Sequence, residues 1–182
     1  MITRDNLKKE IALAIYERSD FTCLNLVYID LDRFIYHNDA FGHASGDDAL
    51  GKILSTLSAQ AKELSAKVQR IGGDEFVLYS LSNSIGSHIE LGIKAQASVH
   101  ELGIPLVSED YRDGSVNFTK HITCSVAATS FPISSLGKAH HRESDLMMKE
   151  SIVDGLLKLL DSMCWLSKCV QKGNFTEINL CK

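Results

Sequence analysis

The sequence lacks the features that mark membrane, secreted and nucleic-acid-binding proteins. Its net charge is only −4, so overall charge gives no reason to expect binding to nucleic acid or to a membrane surface. No apolar run approaches the length of a bilayer span, and the first residues, "MITRDNLKKE", are too polar for a signal peptide. The five cysteines include no C-x-x-C pair, which indicates reduced thiols instead of a disulfide framework or zinc site. We therefore expect a cytoplasmic protein.

Signs of a modular chain are also scarce. There are two prolines in 182 residues, with no linker-like segment and no internal repeat. The hydrophobic fraction of 45% is ordinary for a globular protein, and the length allows a real core. We interpret residues 1–182 as one domain, in which residues 1–20 form an N-terminal helix and lead-in.

Hydrophobic periodicity predicts an alternation of helices and strands that is interrupted by a hairpin. The predicted elements are a helix over 5–18, a strand over 22–30, a short helix over 32–39, a helix over 47–64, a strand pair around "RIGGDEF", a helix over 85–102, a strand, a turn at Asp113-Gly114 and a longer strand within 104–131, a helix over 143–171 and a last strand at "FTEINL". Gly72 and Gly73 are expected to supply positive φ in the hairpin turn. This order predicts an α+β fold with a mixed, largely antiparallel sheet flanked by helices.

Acidic residues cluster at the ends of the predicted strands. Asp30 ends the buried strand, and Asp74 and Glu75 lie at the tip of the hairpin. If the two strands are neighbours these carboxylates converge, and they cannot all stay ionised without a cation between them. Magnesium suits such a site, because it favours one or two carboxylates together with water and substrate phosphates. Two glycine-containing turns, "FGHASGD" and "IGGDE", the latter with Gly72 and Gly73, would let backbone amides approach phosphate or base closely.

Simpler interpretations of the same acids stay open at this point. Acids at strand ends and after glycines are common in turns and helix caps. Asp47 fits the N-cap of the predicted third helix, and Asp32, Asp39 and Asp48 fit solvated surface charges.

Two ordered motifs carry a resemblance to a known family. The first is "YIDLDRF" followed by "NDAFGHASGD", and the second is "RIGGDEF". Together they closely resemble the GGDEF family of diguanylate cyclases, whose name-giving pentapeptide is present without change at residues 72–76. The resemblance covers nearly the whole chain, more loosely in the C-terminal third. It implies a fold like the palm domain of nucleotide polymerases and cyclases, and a bacterial signalling enzyme.

The resemblance also implies roles for individual residues at a metal site. Asp30, through its carboxylate, and Leu31, through its backbone carbonyl, would bind Mg²⁺ or Mn²⁺. Asp74 would be the second carboxylate ligand and, with Glu75, would belong to the catalytic residues. Glu75 would hold a second metal ion or accept the proton of the attacking 3′-hydroxyl.

Substrate binding is implied for a further set of positions. Asn38 and Asp47 would bind guanine, with Asp47 accepting hydrogen bonds from N1 and N2; adenine lacks that donor pair, which argues against an adenine-containing product. His43 would brace the same loop, and the amides near Arg33 and Phe34 would contact the phosphates. Lys168 and Lys172 resemble a lysine and an arginine that the family carries on its last helix; solvated surface charge is the alternative for both.

The implied reaction is a nucleotidyl transfer between two GTP molecules, which yields cyclic di-GMP and two pyrophosphates. Each subunit would hold one GTP, so a homodimer is the implied active state. Neither nucleic acid nor a membrane is an expected partner.

Several positions depart from the family pattern. Ile35 stands where a lysine shortly after "DLD" is usual, and the usual lead-in motif is reduced to Thr3-Arg4. Glu63 and Ala66 occupy the positions of an inhibitory product site, so no such site is expected. With no recognisable sensory segment, a stand-alone enzyme, a fragment and a diverged copy all stay open. A catalytically inactive module that binds GTP or a partner cyclase is the alternative function.

Overall fold

The computed structural model describes residues 1–18, 20–84, 86–106, 120–136, 141–170, 173 and 175–179. Helices and strands alternate along the chain as the periodicity predicts. In chain order they are α1 (Arg4–Glu17), β1 (Cys23–Leu31), α2 (Phe34–Phe41), α3 (His43–Glu63), β2 (Lys67–Arg70), β3 (Glu75–Ser82), α4 (Ser87–Glu101), β4 (Pro105–Leu106), β5 (Lys120–His121), β6 (Cys124–Pro132), a 3-10 turn (Ile133–Ser135), α5 (Arg142–Val170) and β7 (Phe175–Asn179).

The main sheet has five strands in the order β2-β3-β1-β6-β7. All neighbours are antiparallel except β6 and β7, which run parallel. The predicted mixed, largely antiparallel sheet is therefore confirmed. Strands β4 and β5 form a separate two-stranded ribbon. The predicted turn at Asp113-Gly114 lies outside the described residues.

Strand β1 lies at the centre of the sheet because both of its faces are apolar. One face carries Leu26 and Tyr28 into a core shared with α1 and α5, and the other carries Ile29 and Leu31 into a core with α3 and α4. Burial of each such side chain contributes about 1.5–3 kcal/mol. The C-terminal end of β1, where Asp30 lies, is thus held from both sides.

Helix α3 begins four residues earlier than predicted. Its N-cap is Gly42, whose φ of +82° requires a glycine-like conformation, and its first residue is His43. The alternative that Asp47 is an N-cap is wrong, because Asp47 lies more than one turn inside the helix. Gly46, which directly precedes Asp47, does not interrupt the helix and is buried within it.

The hairpin between β2 and β3 is built differently from the prediction. Neither Gly72 nor Gly73 has positive φ. The turn is instead closed by Arg70, whose Nε donates to the Gly72 carbonyl at 3.1 Å and whose Nη2 donates to the Gly73 carbonyl at 2.7 Å. The Ile71 amide donates to the Glu75 carbonyl at 3.0 Å. Side-chain bonds to the carbonyls stabilise this turn without a left-handed residue.

None of the helices in the described part of the chain is both long and apolar enough to cross a membrane.

Candidate functional site

The acidic residues of the two motifs meet at one edge of the central strands. Asp30 lies directly opposite Glu75 in the β1–β3 pair, and the Leu31 amide donates to the Asp74 carbonyl at 3.1 Å. The pKa of Asp30 is raised to about 6, chiefly because burial disfavours the carboxylate, and also because Asp74 and Glu75 are negative neighbours. Lys168 offsets part of this rise. The site therefore concentrates negative charge at the end of β1.

A lysine from the last helix covers the oxygens at this edge. The Lys168 ammonium forms an ion pair with Asp30 Oδ1 and donates a hydrogen bond to the Leu31 carbonyl at 3.0 Å. Both side chains of the pair are about one-fifth exposed, at 21% and 22%. These two oxygens are the ones that the family resemblance assigns to a metal ion, so in this structure a tethered cation occupies their common position.

This arrangement fits a divalent cation of the magnesium type. The carboxylate and the carbonyl already share one positively charged partner, which shows that their lone pairs converge. No ready-made group of three or more His, Cys, Asp or Glu side chains suited to a metal exists among the described residues. Magnesium needs none, since it is commonly held by one or two carboxylates with water and phosphate oxygens completing the shell.

Glu75 has a fixed position in the cluster. The hydroxyl of Tyr28 donates to Glu75 Oε1 at 2.8 Å. On the other side, a Cβ atom added to Gly72 would lie 2.0 Å from Glu75 Oε2, closer than any real contact. The first glycine of the pentapeptide thus allows the present position of this carboxylate, which a side chain there would displace, and it does not serve through its φ.

Asp32 is a structural residue and not a solvated surface charge. It is 2% exposed, and it accepts hydrogen bonds from Thr123 Oγ1 at 2.7 Å, Ser125 Oγ at 2.9 Å and the Gly173 amide at 2.8 Å. These bonds tie the end of β1 to β6 and to Gly173, which lies between α5 and β7 in the chain.

A cavity of ≈ 400 Å³ opens beside the acidic cluster, between α2, α3 and the β2–β3 hairpin. Its lining residues are Phe34, Ile35, Asn38, Asp39, His43, Asp47, Leu50, Arg70, Gly73 and Asp74. The cavity therefore brings together most of the positions that the resemblance assigns to substrate binding. Asp74 belongs both to this lining and to the acidic cluster around Asp30.

Asn38 and Gly46 form a matched pair in the wall of this cavity. A Cβ atom at Gly46 would lie 1.8 Å from Asn38 Oδ1, so any larger residue there would displace the amide from its present position. Asn38 Oδ1 is buried and has no hydrogen-bond partner among the described residues. The Asn38 side chain therefore holds an unpaired acceptor, and the residue itself lines the cavity. His43 and Asp47 are exposed on the first two turns of α3 and line the same cavity.

The remaining predicted positions lie at the start of α2 and near the C-terminal end of the chain. Arg33 is the N-cap of α2 with φ +59°, and Phe34 is the first residue of that helix and nearly buried. Ile35, in place of the usual lysine, is 64% exposed and lines the cavity. Lys172, which was predicted to share a helical face with Lys168, lies outside the described residues.

Sequence patterns did not single out three residues that shape the site. His37 is buried, its Nδ1 donates to the Pro105 carbonyl at 2.8 Å, and its Nε2 bonds Ser45 Oγ at 3.2 Å. Its spacing from Phe34 and Phe41 on one helical face was an available signal. Tyr28 shares the strand face of Asp30, which was a weaker signal. Arg70 gave none, since its bonds are to backbone carbonyls.

Comparison with known proteins gives relatives of one kind. The chain is 28% identical over 144 residues to the diguanylate cyclase DgcM of Escherichia coli, a match that covers 79% of this chain and 28% of DgcM. It is 41% identical over 68 residues to the probable diguanylate cyclase DgcI of the same species, which covers 37% of this chain and 14% of DgcI. The chain thus spans well under a third of the length of these curated relatives.

Solved structures share the fold. The GGDEF domain of YfiN (TpbB) from Pseudomonas aeruginosa matches with a TM-score of 0.69 and 22% identity, covering 100% of this chain and 98% of that one. The GGDEF domain of DgcB from Caulobacter crescentus in complex with c-di-GMP matches with a TM-score of 0.60 and 16% identity, covering 94% and 86%. A family model described as "Diguanylate cyclase, GGDEF domain" matches residues 1–144. The chain therefore belongs to the GGDEF domain family.

Proposed function

We propose that this chain is a diguanylate cyclase, which condenses two GTP molecules into cyclic di-GMP and releases two pyrophosphates. The observation that carries the proposal is the grouping of Asp30 and Glu75 with Asp74, which itself lines a cavity together with Asn38 and Asp47. The names of the relatives, all diguanylate cyclases, support the same activity. We further propose that residues 1–182 act as one domain, since five of the seven described strands form one central sheet with helices packed on both faces.

The cavity beside α3 would hold the guanine base. The Asp47 carboxylate would accept hydrogen bonds from guanine N1 and N2, and the unpaired Asn38 amide oxygen would accept another from the base. Adenine would leave these acceptors without donors, and an unsatisfied polar group costs about 1–3 kcal/mol. His43, at the first turn of α3, would border the base from the solvent side.

The acidic edge would hold Mg²⁺ or Mn²⁺ through Asp30, the Leu31 carbonyl and Asp74. When bound, the ion would withdraw charge from the triphosphate and lower the pKa of the attacking 3′-hydroxyl. Lys168 would leave Asp30 in that state, and its ammonium, tethered on α5, would then neutralise phosphate oxygens. The amides near Arg33, Phe34, Gly72 and Gly73 would donate to the same phosphates. Glu75 would accept the hydroxyl proton or help hold a second ion.

The reaction would require two copies of the chain. Each copy offers one guanine cavity and one acidic edge, whereas the product joins two nucleotides symmetrically. A homodimer with the two edges facing would place each 3′-hydroxyl against the other nucleotide's α-phosphate. The absence of an inhibitory product site, inferred from Glu63 and Ala66, stays a prediction.

Incubation with GTP and Mg²⁺ tests the proposal, with product separated by chromatography. We expect cyclic di-GMP and pyrophosphate, with a rate per subunit that rises with protein concentration. Asp74→Ala should abolish product while the far-UV circular dichroism stays unchanged. Asp48→Ala is the matched control, because Asp48 is exposed on α3 and does not line the cavity. Absence of product at high concentration of the unaltered chain would contradict the proposal.

A module that binds GTP without turnover is the second candidate. Two observations favour it: Ile35 replaces the usual lysine, and Lys168 occupies the oxygens that would hold the ion. Calorimetry separates the two functions, since tight GTP binding together with no product supports the module.

A further inference from the structure

Tyr28 is the only tyrosine of β1, and it lies two residues before Asp30 on the same face of the strand. The ring is 1% exposed in the core beneath α1 and α5. The Arg4 guanidinium lies 5.7 Å from the ring centroid and is itself held by Asp161 at 3.0 Å. A phenol buried in this way cannot bond to bulk water, so its hydroxyl depends on a protein acceptor.

The acceptor is Glu75, a residue of the acidic cluster. In the β1–β3 register Tyr28 is opposite Val77 and Asp30 is opposite Glu75, so Tyr28 and Glu75 are diagonal neighbours on one face. A tyrosine side chain spans that diagonal, and the 2.8 Å bond to Oε1 follows. Glu75 is therefore held by a buried donor on its own face of the sheet, and its Oε2 lies where a side chain on residue 72 would begin.

Repulsion within the cluster makes such a donor necessary. Asp30, Asp74 and Glu75 converge, and like charges drive unrestrained carboxylates apart into solvent. Lys168 counters this at Asp30, on the opposite strand. The hydroxyl of Tyr28 does so at Glu75, where it donates to Oε1 and fixes the orientation of the carboxylate.

We propose that Tyr28 is a positioning residue that orients the Glu75 carboxylate for the nucleotidyl transfer. The inference rests on the proposed function, and it adds to it a residue that contacts neither nucleotide nor metal ion. Tyr28 acts through Glu75, so its loss alters how well Glu75 is oriented and leaves the guanine cavity unchanged.

The chain contains a matched control for this bond. Tyr79 is also buried on the same side of the sheet, and its hydroxyl donates to Glu10 Oε1 at 2.6 Å. Glu10 lies on α1, and neither residue lines the cavity or belongs to the acidic cluster. Tyr28→Phe and Tyr79→Phe each remove one buried hydroxyl from one glutamate and keep the ring.

Turnover and carboxylate NMR together test the inference. Tyr28→Phe should lower kcat roughly tenfold, as expected for loss of a bond to a charged group, with KM for GTP nearly unchanged. Tyr79→Phe should leave both parameters at the wild-type value. With ¹³C-carboxyl glutamate, assigned through Glu75→Gln and Glu10→Gln, Tyr28→Phe should move only the Glu75 resonance and Tyr79→Phe only that of Glu10.

The outcomes separate the inference from the proposed function. An active wild-type protein in which Tyr28→Phe turns over like Tyr79→Phe overturns the positioning role. A Glu75 resonance that does not move in Tyr28→Phe overturns the inference in any case. If the wild-type protein makes no product, the proposed function fails, and the resonance alone then decides whether Tyr28 orients Glu75. If Tyr28→Phe does not fold, the exchange with water of the Tyr28 hydroxyl proton is measured in the wild-type protein. Rapid exchange overturns the inference, and slow exchange supports it.

Discussion

Replacement of Lys168 by methionine should change metal binding and nucleotide use in opposite directions. The substitution keeps an unbranched side chain of similar length on α5 and removes only the ammonium. Without it, Asp30 loses its ion-pair partner and the Leu31 carbonyl loses its donor. Because the pair is about one-fifth exposed, we expect a loss of unfolding free energy below that of a fully buried pair, about 1–3 kcal/mol.

Metal affinity in the absence of nucleotide should rise. The ammonium and a divalent ion compete for the same two oxygens, and such charges about 5 Å apart repel by roughly 7 kcal/mol at an effective dielectric of 20. The lysine relieves most of this by moving away. If about 1.4 kcal/mol of this repulsion remains in the wild type, its removal in Lys168→Met makes binding of the divalent ion roughly tenfold tighter. The titration belongs at pH 8, where Asp30 is ionised, because its pKa is about 6.

The assay is a titration of Mn²⁺ followed by the electron paramagnetic resonance signal of the free ion. GTP turnover on the same protein should fall, because the phosphates lose a positive neighbour. Lys158→Met is the matched control, since Lys158 is on the same helix, is 67% exposed and pairs with Asp154. Equal or weaker Mn²⁺ binding by Lys168→Met without nucleotide would refute the competition between lysine and metal.

Three further substitutions test the supports of the site. Gly72→Ala should reduce turnover more than tenfold with a modest fall in Tm, because the added Cβ meets Glu75 Oε2. Gly51→Ala is the control, because the space around Gly51 is open. Equal turnover in the two variants would contradict the steric argument. Asp32→Asn should lower the free energy of unfolding by about 2–4 kcal/mol in urea titrations, since three donors lose a charged acceptor. Asp48→Asn, at an exposed position of α3, is the control. A loss no larger than in this control would show that the hydrogen bonds to Asp32 add no stability. The pKa of Asp30 is raised to about 6 from an ordinary 3.8, so ionisation of this carboxyl destabilises the folded protein. The stability that the protonated carboxyl contributes is fully present below pH 4 and is lost as the pH rises through 6. Asp30→Asn should therefore gain up to about 3 kcal/mol relative to the wild type between pH 4 and pH 7 without metal, and parallel pH profiles of the two proteins would disprove this.

Local patterns carried most of the secondary structure and the position of the acids. The apolar run of β1 predicts a central strand because only a strand buried on both faces uses such a sequence, and it places Asp30 where that strand ends. The spacing of Leu50, Ile53 and Leu57 predicts α3 in the same way. The start of α3 was not predicted, because the polar segment "HASG" has no hydrophobic periodicity. The helix boundary is set by the φ of Gly42, which the sequence does not reveal.

The sequence by itself determined which residue types stand at the ends of β1 and β3 and which elements carry them. Tertiary structure alone decided what those residues contact. Lys168 reaches Leu31 across 137 residues, and Asp32 reaches Gly173 across 141. Tyr28 meets Glu75 only because the strand register makes them diagonal neighbours. Periodicity records whether a side chain faces the core, whereas partner choice depends on register and helix packing, which are set by the summed burial of the whole chain.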